Sequence, residues 1–221
     1  MTAPTRRVPA PLRVAVVDHG AGNLVSIDQA LRAVGADPRV ARDGEALAEA
    51  EALVVPGVGA AGPAMERLRE RGLDGALRTW IAGGRPYLGI CLGMQLLFDG
   101  SDEDGAVTLG VLAGRTAALE DAPTLPHIGW NQVSRTFDHP LFDGIGAGAD
   151  FYFVHSYAAR PAASDEALVL AVTTHGRPFA SAVARGALLG VQFHPERSGR
   201  DGLRLLANFA AFARDLVDRA A

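Results

Sequence analysis

Pro86-Tyr87-Leu88-Gly89-Ile90-Cys91-Leu92-Gly93-Met94-Gln95-Leu96-Leu97-Phe98 reads as a buried strand, an abrupt turn and a helix. Tyr87 to Ile90 is the apolar strand, bounded on its N-terminal side by Gly83-Gly84. The helix is expected from Leu92, with Met94, Leu97 and Phe98 at core-facing spacing. The only cysteine of the chain sits on the turn. Gly89-Ile90-Cys91-Leu92-Gly93 has the spacing of a nucleophile elbow, G-x-nucleophile-x-G. A side chain at either glycine would crowd the neighbouring strand or helix. The nucleophile then projects from the strand end at a helix N-terminus. Free backbone N–H groups and the helix dipole there favour a thiolate and can hold an oxyanion.

A lone cysteine is most often a small buried hydrophobe, so the elbow by itself leaves the thiol's role open. Gly190-Val191-Gln192-Phe193-His194-Pro195-Glu196 decides between the readings. It sets a histidine, with a carboxylate two residues on, straight after another apolar strand. Cys91, His194 and Glu196 are then the nucleophile, base and orienting acid of a thiol triad.

The 221 residues carry a net charge of −4. That length suits one domain with a core large enough to fold without staples. A single cysteine excludes an internal disulfide and fits a reducing cytoplasm. The mildly acidic balance shows no basic cluster, which argues against nucleic acid and anionic membrane as partners. Every basic residue counted is arginine, so lysine Schiff-base chemistry is excluded. No apolar run approaches membrane-spanning length. Residues 1–11 are polar and proline-rich, lack the apolar core of a signal peptide, and read as a disordered tail ahead of a domain over 12–221.

Strand and helix alternate through the first half. Leu12 to Val17 is a valine-rich strand ending in the small-residue loop Asp18-His19-Gly20-Ala21-Gly22-Asn23. Val25 stands where a dinucleotide fingerprint needs its third glycine, which argues against a nucleotide site. A helix follows from Leu24 to Val34, stopped by Gly35. Asp37 to Ala41 is a second strand, Glu45 to Ala50 a short helix, and Leu53 to Val55 a third strand. The third strand runs into Pro56-Gly57-Val58-Gly59-Ala60, where Gly57 and Gly59 let the backbone offer N–H groups to a ligand. Helices are expected over 62–70 and 73–82. This alternation predicts a mostly parallel sheet covered on both faces, with ligands at the strand C-termini.

From Gly100 the texture changes. Residues 101–114 are acidic and read as a surface connection. Strands are expected over 128–133, 151–157, 168–173, 179–184 and 188–193, the last three as a meander with turns at His175-Gly176-Arg177 and Arg185-Gly186. The second half thus adds antiparallel strands. A final helix over 201–219 carries Leu203, Leu206, Phe209 and Phe212 on one stripe. His19, His127, His139, His155 and His175 lack close metal-ligand spacing, so neither a metal nor a cofactor is expected. His127 and Trp130 read as structural or as part of a partner surface.

Leu-Gly-Ile-Cys-Leu-Gly-Met-Gln around Cys91, with Gln-Phe-His-Pro-Glu near the end, resembles the class I, triad-type glutamine amidotransferases. The resemblance narrows through Pro56 to Ala60, Leu125-Pro126-His127-Ile128-Gly129-Trp130-Asn131, Phe151-Tyr152-Phe153-Val154-His155-Ser156-Tyr157 and Asp18 to Leu24. All are similar to the glutaminase subunit of imidazole glycerol phosphate synthase, over nearly the whole chain after the tail. The resemblance implies an α/β, single-domain fold and hydrolysis of glutamine to glutamate and ammonia. It implies no cofactor. Gln95 and the backbone of Ser156 and Tyr157 would hold the amino-acid end of glutamine. The Leu92 N–H is an oxyanion donor by the elbow logic, and the Gly57-Val58-Gly59 loop would supply the other. The implied partner is a barrel-fold cyclase subunit, in a heterodimer, that receives ammonia through a channel for histidine synthesis. Many relatives carry lysine after the triad glutamate. Here it is Arg197, which keeps the charge and changes the geometry. A γ-glutamyl hydrolase, a cysteine peptidase, a non-catalytic relative, or a subunit feeding an anthranilate- or pyridoxal-forming partner are the competing readings. The intact triad opposes a non-catalytic role, and the Gly57-Val58-Gly59 loop with His127-Ile128-Gly129-Trp130 favours the histidine pathway.

Overall fold

Alternate residues of the apolar strands face opposite ways, and both faces are buried. Val14, Val16, Val54, Leu88 and Ile90 join one hydrophobic cluster, while Ala15, Val17, Leu53 and Val55 join the other. A strand buried on both sides must be flanked by helices on both sides, which is the parallel-sheet arrangement. The computed structural model describes residues 10–220. The expected disordered tail therefore lies almost wholly outside the described residues.

The elements run β1 (Arg13–Val17), α1 (Leu24–Ala33), β2 (Asp37–Ala41), β3 (Ala52–Gly57), α2 (Ala61–Glu70), α3 (Leu73–Ala82), β4 (Tyr87–Cys91) and α4 (Leu92–Gln95). The second half holds β5 (Gly100–Ser101), β6 (Gly114–Ala118), β7 (His127–Gln132), β8 (Ser134–Arg135), β9 (Asp150–His155), β10 (Tyr157–Pro161), β11 (Val169–His175), β12 (Arg177–Arg185), β13 (Leu188–Val191) and α5 (Gly199–Ala220). The main sheet has the order β2-β1-β3-β4-β13-β12-β11-β8. Pairing is parallel from β2 through β13 and antiparallel from β13 to β8. The chain therefore has the α/β fold with added antiparallel strands that its sequence predicts.

Several local expectations are corrected. The helix after Cys91 is only four residues long. Leu96, Leu97 and Phe98 continue as a tight turn, and all three are fully buried. A segment buried on every side has no polar face, so apolar spacing there does not report helix length. Four residues also build no macrodipole of consequence, so help for an oxyanion rests on individual N–H groups. The expected strand over 151–157 breaks at Ser156, and its halves enter different sheets. β9 pairs with β7 in a two-stranded sheet, and β10 with β6 in a three-stranded one. The surface connection after Gly100 is partly core. Leu109 and Leu112 are buried, and the N–H groups of Leu109 to Leu112 donate to carbonyls of Leu96, Leu97 and Phe98. On α5 the inward stripe is Gly202, Leu205, Leu206, Phe209 and Ala213, and Leu203 is 38 % exposed. Strict three-residue steps drift around a helix of 3.6 residues per turn, whereas mixed steps of three and four hold one face.

Glycine at the elbow is required by close approach. A Cβ on Gly93 would stand 1.7 Å from the Val55 carbonyl oxygen, and one on Gly89 would stand 2.5 Å from the Gly93 carbonyl oxygen. Both obstacles are backbone and cannot rotate aside. Gly93→Ala is expected to remove more than about 4 kcal/mol of stability, the range reached by severe overpacking of a core. Urea unfolding checks this, and a variant within about 1 kcal/mol of the parent would show that β3 and the turn can separate.

Candidate active site

Three neighbouring parallel strands end at one place. Gly57 at the end of β3 is the register partner of Cys91 at the end of β4. Val191 at the end of β13 is the partner of Ile90 on the other side. The loop after β3, the thiol, and the segment Gln192 to Glu196 therefore meet at the C-terminal edge of the sheet, where open α/β sheets take ligands. The crossovers that bring distant segments together put Gly57, Cys91 and His194 side by side.

Cys91 has φ 53° and ψ −111°, a conformation that side chains rarely adopt. Such strain costs about 1–3 kcal/mol and persists only where the surroundings impose it. Here the close packing of Gly89, Gly93 and Val55 imposes it. His194 is anchored by its own backbone, its N–H donating to the Tyr152 carbonyl at 2.9 Å and its carbonyl accepting from Ser198 Oγ at 2.6 Å. The next residues form a single 3₁₀ turn, Pro195–Arg197, which folds the Glu196 carboxylate back on the ring. His194 Nδ1 donates to Glu196 Oε1 at 2.8 Å, with both side chains nearly inaccessible. Nδ1 is thus committed to Glu196, and Nε2 is the nitrogen left for chemistry, buried with no hydrogen-bond partner of its own among the described residues.

Burial opposes a charged imidazole at His194. The adjoining Cys91 sulfur and the hydrogen-bonded Glu196 carboxylate outweigh it and raise the group from 6.5 to about 10. The group therefore favours its charged form through the neutral range, with the Glu196 carboxylate as its hydrogen-bonded partner. Its contribution to stability is complete below an unfolded-state value near 6.5 and is lost as pH rises through about 10.

The remaining expected residues are positioned as follows. Leu92 follows Cys91 on the elbow and is buried. Val58 and Gly59 are exposed, Gly57 is buried, and Gly59 has φ +89°. Gln95 is buried, and its Nε2 donates to the Tyr157 carbonyl at 2.9 Å and to Gln192 Oε1 at 3.0 Å. Ser156 and Tyr157 are partly buried at the break between β9 and β10. Gln95 and Tyr157 thus meet, although 62 residues separate them.

Two residues emerge that sequence reasoning left without a role. Gln192 Nε2 donates to Cys91 Sγ at 3.5 Å. Its signal was its place two residues before His194, directly after the strand that adjoins the elbow. His19 is fully buried, and its Nε2–H donates to the Pro56 carbonyl at 2.8 Å, directly behind Gly57. A Cβ on Gly57 would stand 2.7 Å from that nitrogen. Burial keeps His19 below its ordinary value, so it backs the glycine loop as a neutral donor. Nothing in its flanking sequence announces this.

An aromatic face adjoins the site. Ile128 and Trp130 on β7 are 59 % and 57 % exposed. Trp130 meets Tyr152 edge to face at 6.2 Å, and the Arg197 guanidinium lies 4.2 Å from the centre of the Tyr152 ring. The Tyr152 carbonyl is the group that anchors His194.

His194 is expected to keep its ring proton through neutral pH and lose it only near pH 10, followed by imidazole ¹⁵N resonances. Glu196→Gln should lower that midpoint, since a neutral amide no longer favours the charged ring. A ring that titrates near its ordinary value in the parent would show that the two partners do not stabilise the imidazolium.

The family model "Glutamine amidotransferase class-I" matches residues 15–212. Imidazole glycerol phosphate synthase subunit HisH of Symbiobacterium thermophilum is 52 % identical over 206 residues, covering 93 % of this chain and 96 % of that protein. The protein of the same name from Dehalococcoides mccartyi is 44 % identical over 201 residues, covering 90 % and 97 %. Among solved structures, a glutamine amidotransferase superposes with a TM-score of 0.71 at 23 % identity, covering 91 % of this chain and 98 % of that one. PurLQS from Thermotoga maritima gives 0.73 at 18 % identity, covering 91 % and 99 %. The two solved structures establish the fold, and the curated relatives narrow it: the chain belongs to the class I glutamine amidotransferases, in the imidazole glycerol phosphate synthase subunit HisH family.

Proposed function

We propose that this protein is the glutaminase subunit of an imidazole glycerol phosphate synthase, acting through Cys91, His194 and Glu196. The observation that carries the proposal is the buried His194–Glu196 pair, 2.8 Å apart, just beyond the end of the strand beside the Cys91 elbow. The Cys91 thiolate adds to the side-chain carboxamide carbon of glutamine. The carbon–nitrogen bond then breaks, and the His194 imidazolium gives its Nε2 proton to the departing nitrogen, which leaves as ammonia. Water then gives a proton to His194 Nε2, now the free base, while its oxygen adds to the thioester carbon. The carbon–sulfur bond breaks, glutamate departs and the thiolate is restored. Glu196 holds the tautomer and stabilises the charged ring, as the third member of such a triad does.

The Leu92 N–H and the Gly57-Val58-Gly59 loop are the proposed oxyanion donors. One such donor is worth about 3–4 kcal/mol of barrier, so the setting of an exposed glycine loop can govern the rate. Gln95 and the backbone of Ser156 and Tyr157 are the proposed contacts to the amino-acid end of glutamine. Residues 12–221 form the proposed catalytic domain. No helix among the described residues is long and apolar enough to cross a membrane.

The proposed partner is a barrel-fold cyclase subunit in a heterodimer. Ammonia passes to it and is incorporated into imidazole glycerol phosphate, with an aminoimidazole carboxamide ribonucleotide as the second product. The exposed Ile128 and Trp130 beside Tyr152 and Arg197 support docking on the β7 face, since large apolar side chains with an arginine suit the centre of an interface.

Glutamate release from glutamine tests the reading, with the protein alone and mixed with a cyclase subunit and its nucleotide ligand. Strong stimulation in the mixture is expected. Full activity alone on extended γ-glutamyl substrates, unaffected by the cyclase, would point to a free-standing hydrolase. Cys91→Ala is expected to abolish glutamine-dependent synthesis by the complex and leave synthesis from added ammonia intact. Loss of both in an assembled complex would remove the case for ammonia transfer.

A further inference from the structure

The side-chain amide of Gln192 is completely buried and lies against the sulfur of Cys91. A buried amide must satisfy both its ends, and this one does so with a fixed direction. The Tyr157 carbonyl can only accept, so Gln95 must turn its amino group toward it, at 2.9 Å. The same nitrogen has a second hydrogen to give and lies 3.0 Å from Gln192 Oε1. Gln192 must therefore spend its oxygen on Gln95 and turn its own amino group to the sulfur, at 3.5 Å. The orientation of both amides follows from one backbone carbonyl.

That carbonyl is itself held from the other side. His155 Nδ1 lies 2.8 Å from the Tyr157 oxygen and must carry a hydrogen. His155 Nε2 then accepts from His127 Nδ1 at 3.1 Å, and His127 Nε2 accepts from Asn131 Nδ2 at 3.1 Å. Asn131 has its amide set by donation to the Thr174 carbonyl and by acceptance from the Gln132 N–H. A chain of donors with one allowed direction runs from β7 to Tyr157, and from Gln95 to the thiol. Burial keeps His155 near 3 and His127 near 4, which preserves both rings as the neutral members this chain needs.

We propose that Gln192 is a further catalytic residue, whose Nε2–H donates to Cys91 Sγ and stabilises the thiolate, with Gln95 as the residue that positions it. This rests on the reading of Cys91 as the nucleophile. A thiol sulfur is a weak acceptor and a thiolate a strong one, so the bond strengthens only when the sulfur is charged. The donor therefore favours the reactive state before attack. It favours the same state again when the thioester breaks and sulfur leaves as thiolate. An amide also has no proton to lose at working pH, so it supports the anion without competing with His194 for the proton.

The test uses the full chain with its cyclase partner, glutamine as substrate and iodoacetamide as thiol probe. Gln192→Glu keeps the shape and turns the donor into an acceptor. Gln192→Met keeps the volume and removes both functions. Each is expected to weaken the ultraviolet thiolate absorbance and to slow alkylation of Cys91 at neutral pH. Both alkylation and kcat for glutamate release should fall about tenfold or more, with KM for glutamine within about twofold. Folded variants with unchanged absorbance, alkylation and kcat would overturn the proposal. A second measurement does not depend on how those variants fold. The Gln192 side-chain amide resonances of the parent should move on Cys91→Ala, and amide resonances indifferent to that change would also overturn it. If alkylating Cys91 leaves glutaminase activity intact, the reading of Cys91 fails. If alkylation abolishes activity while the Gln192 variants behave as the parent, only the present proposal fails.

Discussion

The contact between Gly93 and the Val55 carbonyl is the constraint on which the site depends. It lets the turn after β4 press against β3, and no side chain can be inserted between them. The turn is thereby forced to be abrupt, and Cys91 takes its strained φ of 53°. A relaxed turn would point the thiol along the strand rather than out of the sheet edge. Strain of this kind is maintained by packing, and Gly89 and Gly190 extend that packing on either side, the latter against Met94.

Around that turn the protein keeps an ionic pair away from water. His194 and Glu196 are nearly inaccessible, and burying charges is costly unless each is paired and hydrogen-bonded. The pair is local, two residues apart on a 3₁₀ turn, so little chain entropy is lost in forming it. The long-range element is the sheet. β13 must insert between β4 and β12 for His194 to reach the thiol. Neutral polar groups do the rest of the work, with His19 behind the glycine loop and Gln192 against the sulfur.

The first half of the fold was legible because its strands are buried on both faces and its helices on one, which are the two simplest patterns to read. The second half was legible in strand content but not in sheet membership. Nothing in Phe151 to Tyr157 announces that the chain changes sheets at Ser156. Leu96 to Phe98, and Leu109 with Leu112, misled for a related reason. Apolar residues packed on every side carry no periodicity, and an acidic stretch can still close over a core. Leu203 misled because a three-residue step is only an approximate helical repeat.

The sequence by itself picked out the proposed reactive groups, a lone cysteine between two glycines and a histidine with a glutamate two residues on, because elbow geometry and a short turn are local properties. Family membership was legible for the same reason, in motifs short enough to survive as strings. Only the tertiary structure decided which neutral groups attend the thiol. Gln192, Gln95 and Tyr157 are joined by hydrogen bonds across 62 and 97 residues of separation. His19 reaches the glycine loop across 37 residues. Such contacts follow from strand order and crossover, and a single sequence carries no local trace of either.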